Sequence, residues 1–179
     1  MAAVVRQHHP GVTWWCPQLP PSPRQAMQEV IETVTRWPHD AGFDGMAVIG
    51  SSLGGFYATW VAEKMGCKAV LLNPAVDPAR DLSRHIGEQT SWHNAQERFF
   101  FKPEFVSELR ALQPGPLQVA QNYLAIIAKG DEVLDWREMA ARYAGVHVTL
   151  LEGGDHALTS FDDHLGAITD FLNLAPLGA

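Results

Sequence analysis

At 179 residues, with 46% hydrophobic and 18% charged side chains, the chain has the size and balance of one globular domain with a sizeable core. A formal charge of −7 argues against a nucleic-acid or anionic-membrane partner, since either wants a basic patch. No apolar run approaches the roughly 20 residues of a membrane helix.

Met1–His9 is too short and too polar for a secretory signal, so the expected location is the cytoplasm. Cys16 and Cys67 stand beside apolar residues and read as buried thiols in a reducing compartment rather than as a disulfide. No repeat, low-complexity tract or long linker divides the chain, and residues 1–179 read as a single domain.

Residues 1–11 have weak helical character and end at Pro10-Gly11. Adjacent His8 and His9 would point about 100° apart on a helix, a poor chelating pair, and read as solvated surface. Val12-Thr13-Trp14-Trp15-Cys16, rich in β-branched and aromatic residues, predicts a strand stopped at Pro17. Ser22-Pro23-Arg24-Gln25 has the pattern of a capping box with proline at the first helical position. Ala26, Met27, Val30, Ile31 and Val34 then mark one buried stripe, and Pro38 ends the helix.

Gly45 to Ile49 predicts a strand, and Gly50-Ser51-Ser52-Leu53-Gly54 follows as a strand-to-helix turn. The next helix packs through Leu53, Phe56, Trp60 and Val61 and is capped by Gly66. Lys68-Ala69-Val70-Leu71-Leu72 reads as a parallel strand covered on both faces, closing a βαβ unit. Residues 77–116 break the rhythm and read as a lid insertion. That insertion holds His85, His93, a helix from Pro103 and the triplet Phe99-Phe100-Phe101, which either lines an apolar pocket or packs the insertion onto the body. The sheet resumes at Tyr123–Ala128. Asp135-Trp136-Arg137-Glu138 reads as a second capping box, with its helix running to Gly145. His147–Leu151, the loop Glu152–His156 and a terminal helix with Phe161, Leu165, Ile168 and Leu172 on one face complete an α/β pattern, a mostly parallel sheet flanked by helices. Ligands of such sheets sit beyond the carboxyl ends of the strands.

The chemistry-bearing residues lie at those ends. Gly-x-Ser-x-Gly between strand and helix is the setting of a nucleophile elbow, which lifts Ser52 off the sheet on a strained turn. A serine hydroxyl needs a base, and the base an orienting carboxylate. Ser52, Asp131 and His156 lie at three strand ends, in the chain order nucleophile, acid, histidine. His156 would take the Ser52 proton, Asp131 would fix the imidazole tautomer, and the backbone N–H of Leu53 would donate to the oxyanion. Rivals are Ser51 for the nucleophile and Asp135 for the acid, although Asp135 already has a capping role. Asp155 adjoins His156, but neighbours on one loop seldom face each other. No Walker-type or dinucleotide glycine pattern is present.

From about Val12 to Leu174 the chain resembles the YqiA-type esterases, a compact family of α/β-hydrolases. The resemblance rests on Cys16-Pro17-Gln18-Leu19, Ile49–Ala58 around the elbow, Leu72-Asn73-Pro74-Ala75, Gly130–Asp135 and Glu152-Gly153-Gly154-Asp155-His156. It implies a serine hydrolase of small carboxylic esters or thioesters, without cofactor or metal, whose triad is Ser52, Asp131 and His156. Homo-oligomerisation is left open. One departure matters: family members open with an apolar strand ending in His-Gly-Phe, whose loop supplies the second oxyanion donor, and here the chain begins after it. The expectation is a start upstream of Met1, a substitute segment or subunit, or a protein of weak or no activity that binds or scaffolds instead.

Overall fold

The computed structural model describes residues 1–37, 45–90 and 98–174. In chain order the elements are α1 (Ala2–His8), α2 (Pro23–Val34), β1 (Ala47–Ser51), α3 (Leu53–Met65), β2 (Lys68–Leu72), α4 (Pro78–Leu82), β3 (Gly87–Thr90), β4 (Arg98–Phe101), α5 (Pro103–Ala111), β5 (Tyr123–Ala128), α6 (Trp136–Arg142), β6 (His147–Leu151) and α7 (Leu165–Phe171). Four strands form a parallel sheet in the order β1-β2-β5-β6, and β3 pairs antiparallel with β4.

The side-chain alternation of a strand sorts the core into layers. Ala69, Leu71, Ala125 and Ile127 face the side covered by α3 and α6, where they meet Ala58, Ala62, Met139 and Tyr143. Their neighbours Val70, Leu72, Leu124 and Ile126 face the opposite side, against Leu158 and Ile168. Both central strands are therefore apolar along their length, as the continuous runs 68–72 and 123–128 predict. The outer strands β1 and β6 are only partly covered.

Between β2 and β5 the described residues of 77–116 supply α4, the β3–β4 pair and α5. Phe101, Phe105, Val106, Leu109 and Leu112 among them join Met27 of α2 and Phe56 and Val61 of α3 in one cluster. For Phe101 the packing reading of the phenylalanine triplet thus applies, whereas Phe100 is 54% exposed. The side chain of Phe99, and His93, lie outside the described residues.

Several local expectations need correction. Val12–Cys16 forms no strand. Val12, Trp15 and Cys16 are exposed there, and β-propensity yields a strand only where a neighbouring strand takes up the backbone hydrogen bonds. Cys16 is accordingly an exposed thiol, and only Cys67 is buried. His9 is buried rather than solvated. Helix α2 stops at Val34, where Thr35 Oγ1 bonds back to the Ile31 and Glu32 carbonyls, before Pro38, which lies outside the described residues. Helix α6 likewise ends at Arg142, short of Gly145.

Both predicted capping boxes keep only half of their design. Ser22 accepts from the Gln25 amide, but the Gln25 side chain bonds Glu29 instead. Asp135 accepts from the Arg137 amide, while Glu138 is engaged by Arg80. In each case a side-chain partner elsewhere outcompetes the reciprocal bond.

Candidate active site

Ser52 follows β1 directly and has φ 54° and ψ −122°, a backbone conformation costly for a residue with a side chain. The turn is closed by backbone bonds: the Ser52 amide donates to Leu72 O at 3.0 Å, and Ser52 O accepts from the Ala75 amide at 2.9 Å. Gly50 is required by space, since a Cβ there would stand 2.0 Å from Gly54 O. A Cβ at Gly54 itself would meet nothing within 4 Å; the second crowded position is Gly55, against Pro74. The motif glycine that matters on the helix side is therefore one residue beyond the pentapeptide.

Asp131 lies just past β5, and its side chain is fully buried. Its Oδ1 accepts the amides of Val133 and Leu134, each at 2.8 Å, which folds the acid loop around the carboxylate. His156 comes from the loop after β6, on the far side of the sheet from Ser52. Gly130 lets the acid and histidine loops approach, because a Cβ there would lie 2.3 Å from Gly154 O.

The structure brings Ser52, His156 and Asp131 together. His156 Nε2 is 2.9 Å from Ser52 Oγ, and Nδ1 is 2.8 Å from Asp131 Oδ2 and 3.0 Å from Oδ1. The His156 side chain is 13% exposed, so one edge of the ring stays open to a reactant. With Nδ1–H donating to a carboxylate, Nε2 is the free acceptor facing the hydroxyl, the tautomer that proton abstraction needs. Leu53 is the first residue of α3, where backbone N–H groups have no acceptor within the helix.

The rivals are placed elsewhere. Ser51 is exposed at the end of β1. Asp135 caps α6 and pairs with Arg137. Asp155 turns to its own loop: the backbone amide and then the hydroxyl of Thr159 bond its carboxylate and hold it below its ordinary titration range. Sequence reasoning missed Glu132, whose Oε2 accepts the His156 amide at 3.0 Å. Its place next to the acid was visible, but not its reach across to the histidine loop.

A cavity of about 700 Å³ lies apart from these three residues, between Val76, Arg80, Arg110, Gln113, Glu138 and Arg142. A smaller one shares Val76, Arg80 and Glu138 with it and extends to Pro74, beside the elbow. Among the described residues there is no group of three or more His, Cys, Asp or Glu side chains that could hold a metal ion, and no helix long and apolar enough to cross a membrane.

Solved structures share this architecture. A hydrolase from Agrobacterium vitis S4, described as putative, superposes with a TM-score of 0.59 at 17% identity, over 84% of this chain and 69% of that one. Alpha/beta hydrolase domain-containing protein 10 from mouse gives 0.60 at 19%, over 85% and 70%. The esterase domain of a Rhodothermus marinus protein gives 0.51 at 19%, over 83% and 64%. Identities this low establish the fold, which is that of the α/β-hydrolases. The sequence pattern of the uncharacterised protein family UPF0227, the YqiA-type group, matches residues 1–173. The chain belongs to that family.

Proposed function

We propose that this protein is a serine hydrolase, a carboxylesterase or thioesterase acting on small acyl esters through Ser52, His156 and Asp131. The observation that carries the reading is the 2.9 Å approach of His156 Nε2 to Ser52 Oγ while Asp131 occupies the other ring nitrogen. His156 takes the Ser52 proton as Oγ attacks the ester carbonyl, and the Leu53 N–H donates to the oxygen that becomes negative. The imidazolium returns its proton to the leaving alcohol or thiol. Water, deprotonated by the same nitrogen, then releases the acid. No cofactor enters these steps. The esterase domain among the similar structures supports the choice of ester chemistry.

The same reading takes residues 1–179 as one hydrolase domain and 77–116 as its lid insertion. Free thiols at Cys16 and Cys67 suit a reducing cytoplasm, and the net charge of −7 suits a small-molecule substrate better than a nucleic acid.

Ser52→Ala should abolish both p-nitrophenyl butyrate turnover and labelling by a fluorophosphonate; turnover that persists in the variant refutes the assignment. A second reading, a weakly active or non-catalytic binding protein, is favoured by the position of β1 at the sheet edge, with no described strand beside it to carry a second backbone donor. Ligand binding by a wild-type protein that never reacts with the fluorophosphonate selects it.

A further inference from the structure

Ser52 and His156 stand at the ends of opposite edge strands. With β2 and β5 between them, three inter-strand spacings of about 4.8 Å separate their roots by about 14 Å. The histidine loop must therefore be drawn back across the sheet and held there. From the end of β5, Gly130 N–H donates to Gly153 O, Glu132 accepts the His156 amide and Asp131 holds the ring, while Asp155 bonds within the loop; the reach to the strand beside the elbow needs a further contact.

Asn73 is fully buried at the end of β2, the strand next to the elbow. Its Nδ2 donates to the carbonyls of Asp155 at 2.9 Å and His156 at 3.2 Å. Its Oδ1 accepts the amide of Ala128 at 2.7 Å, the last residue of β5 before the acid loop. Its own amide donates to Ile126 O at 3.0 Å. The flanking residues Leu72 and Ala75 bond both backbone groups of Ser52. One four-residue turn thus touches the nucleophile turn, the strand that carries the acid and the loop that carries the histidine. Asn73 holds φ 41°, in the left-handed region that asparagine tolerates.

We infer that Asn73 is the positioning residue of this site: its amide pulls the His156 loop over the sheet and sets the ring against Ser52. The inference rests on the hydrolase reading for its effect on rate, but not for its effect on the loop. Both ends of the amide are needed. An aspartate keeps the acceptor for Ala128 and replaces the donor by an oxygen facing two carbonyls, which drives the loop away.

The test is Asn73→Asp, measured by steady-state kinetics with p-nitrophenyl butyrate and by amide hydrogen exchange. The expected result is a fall in kcat of about 100-fold with KM within about twofold, the signature of a displaced base rather than a lost binding contact. The amides of His156, Leu158 and Thr159 should exchange faster, while that of Ala128 keeps its protection. A kcat within threefold of wild type, or unchanged exchange across 155–159, overturns the inference. If Asn73→Asp does not fold, Asn73→Gly serves. Glycine adopts φ 41° freely and removes every side-chain bond, and the same two measurements decide. If wild-type protein shows neither turnover nor fluorophosphonate labelling, the hydrolase reading fails. The exchange data then still show whether Asn73 holds the loop.

Discussion

Replacing Asp131 by asparagine tests the site through a single atom. Oδ1 of Asp131 accepts two backbone amides at 2.8 Å, so in Asp131→Asn the carboxamide oxygen must stay at that position. Turning it round would set an NH2 group against two N–H donors, at about 1–3 kcal/mol for each bond left unmade in a buried place. The NH2 is therefore held where Oδ2 now stands, 2.8 Å from His156 Nδ1. Nδ1 then faces a donor at the shorter distance, and its remaining acceptor is the carboxamide oxygen 3.0 Å away, already shared by two amides. This favours the tautomer protonated at Nε2, in which the nitrogen facing Ser52 cannot act as a base. In a triad of this geometry the wrong tautomer costs about 10⁴ in kcat, or about 5.5 kcal/mol of barrier.

Folding stability should change by less than about 1 kcal/mol, because the amide bonds are kept. Steady-state kinetics beside a thermal melt separate the two effects. A folded Asp131→Asn protein that retains more than a tenth of wild-type kcat refutes the reasoning. So does Asp135→Asn losing activity in its place, since that carboxylate only caps α6 and should be replaceable within about twofold.

Gly50→Ala places a methyl group 2.0 Å from Gly54 O, a backbone atom that cannot step aside; we expect destabilisation of about 3 kcal/mol or more and loss of Ser52 labelling, read by denaturant unfolding and fluorophosphonate reaction. Burial pushes the Cys67 thiol up to about 11, whereas Cys16 is exposed. A chromogenic disulfide at pH 8 should therefore react quickly with Cys16 alone, and with Cys67 only on unfolding. Because the folded Cys67 thiol binds its proton more tightly than the unfolded one, its contribution is complete below pH 9 and is lost as pH rises from about 9 to 11. Stability that is flat over that range, or equal reaction of both thiols, contradicts the burial argument.

The sheet centre and the three residues of the candidate site were legible because their signals are local. Continuous apolar runs at 68–72 and 123–128 need two covered faces, and strand ends place Ser52, Asp131 and His156 on one rim whatever the details between. Val12–Cys16 shows the limit: the same side-chain preferences yield no strand without a neighbour to bond. Asp77-Pro78 repeats the Ser22-Pro23 signal, and Asp77 does cap α4, so that helix was readable though not read. The β3–β4 ribbon was not readable, since Gly87-Glu88-Gln89-Thr90 carries no apolar alternation. Asn73 left a faint trace, an asparagine followed by proline directly after a buried strand. Its importance comes from contacts with residues more than fifty positions away, and those no local pattern encodes.

The described residues of 77–116 invite the picture of a flap that swings aside, but their anchorage opposes that. Phe101, Phe105, Val106, Leu109 and Leu112 are all buried against the helices beneath, and Glu108 is tied to Ser22 of α2. Exposing those side chains at about 2 kcal/mol each would consume about 10 kcal/mol, comparable with the whole stability of a domain this size. The described part of the segment is thus fixed to the body of the fold, and the proposed reaction at Ser52 has to proceed with it in place.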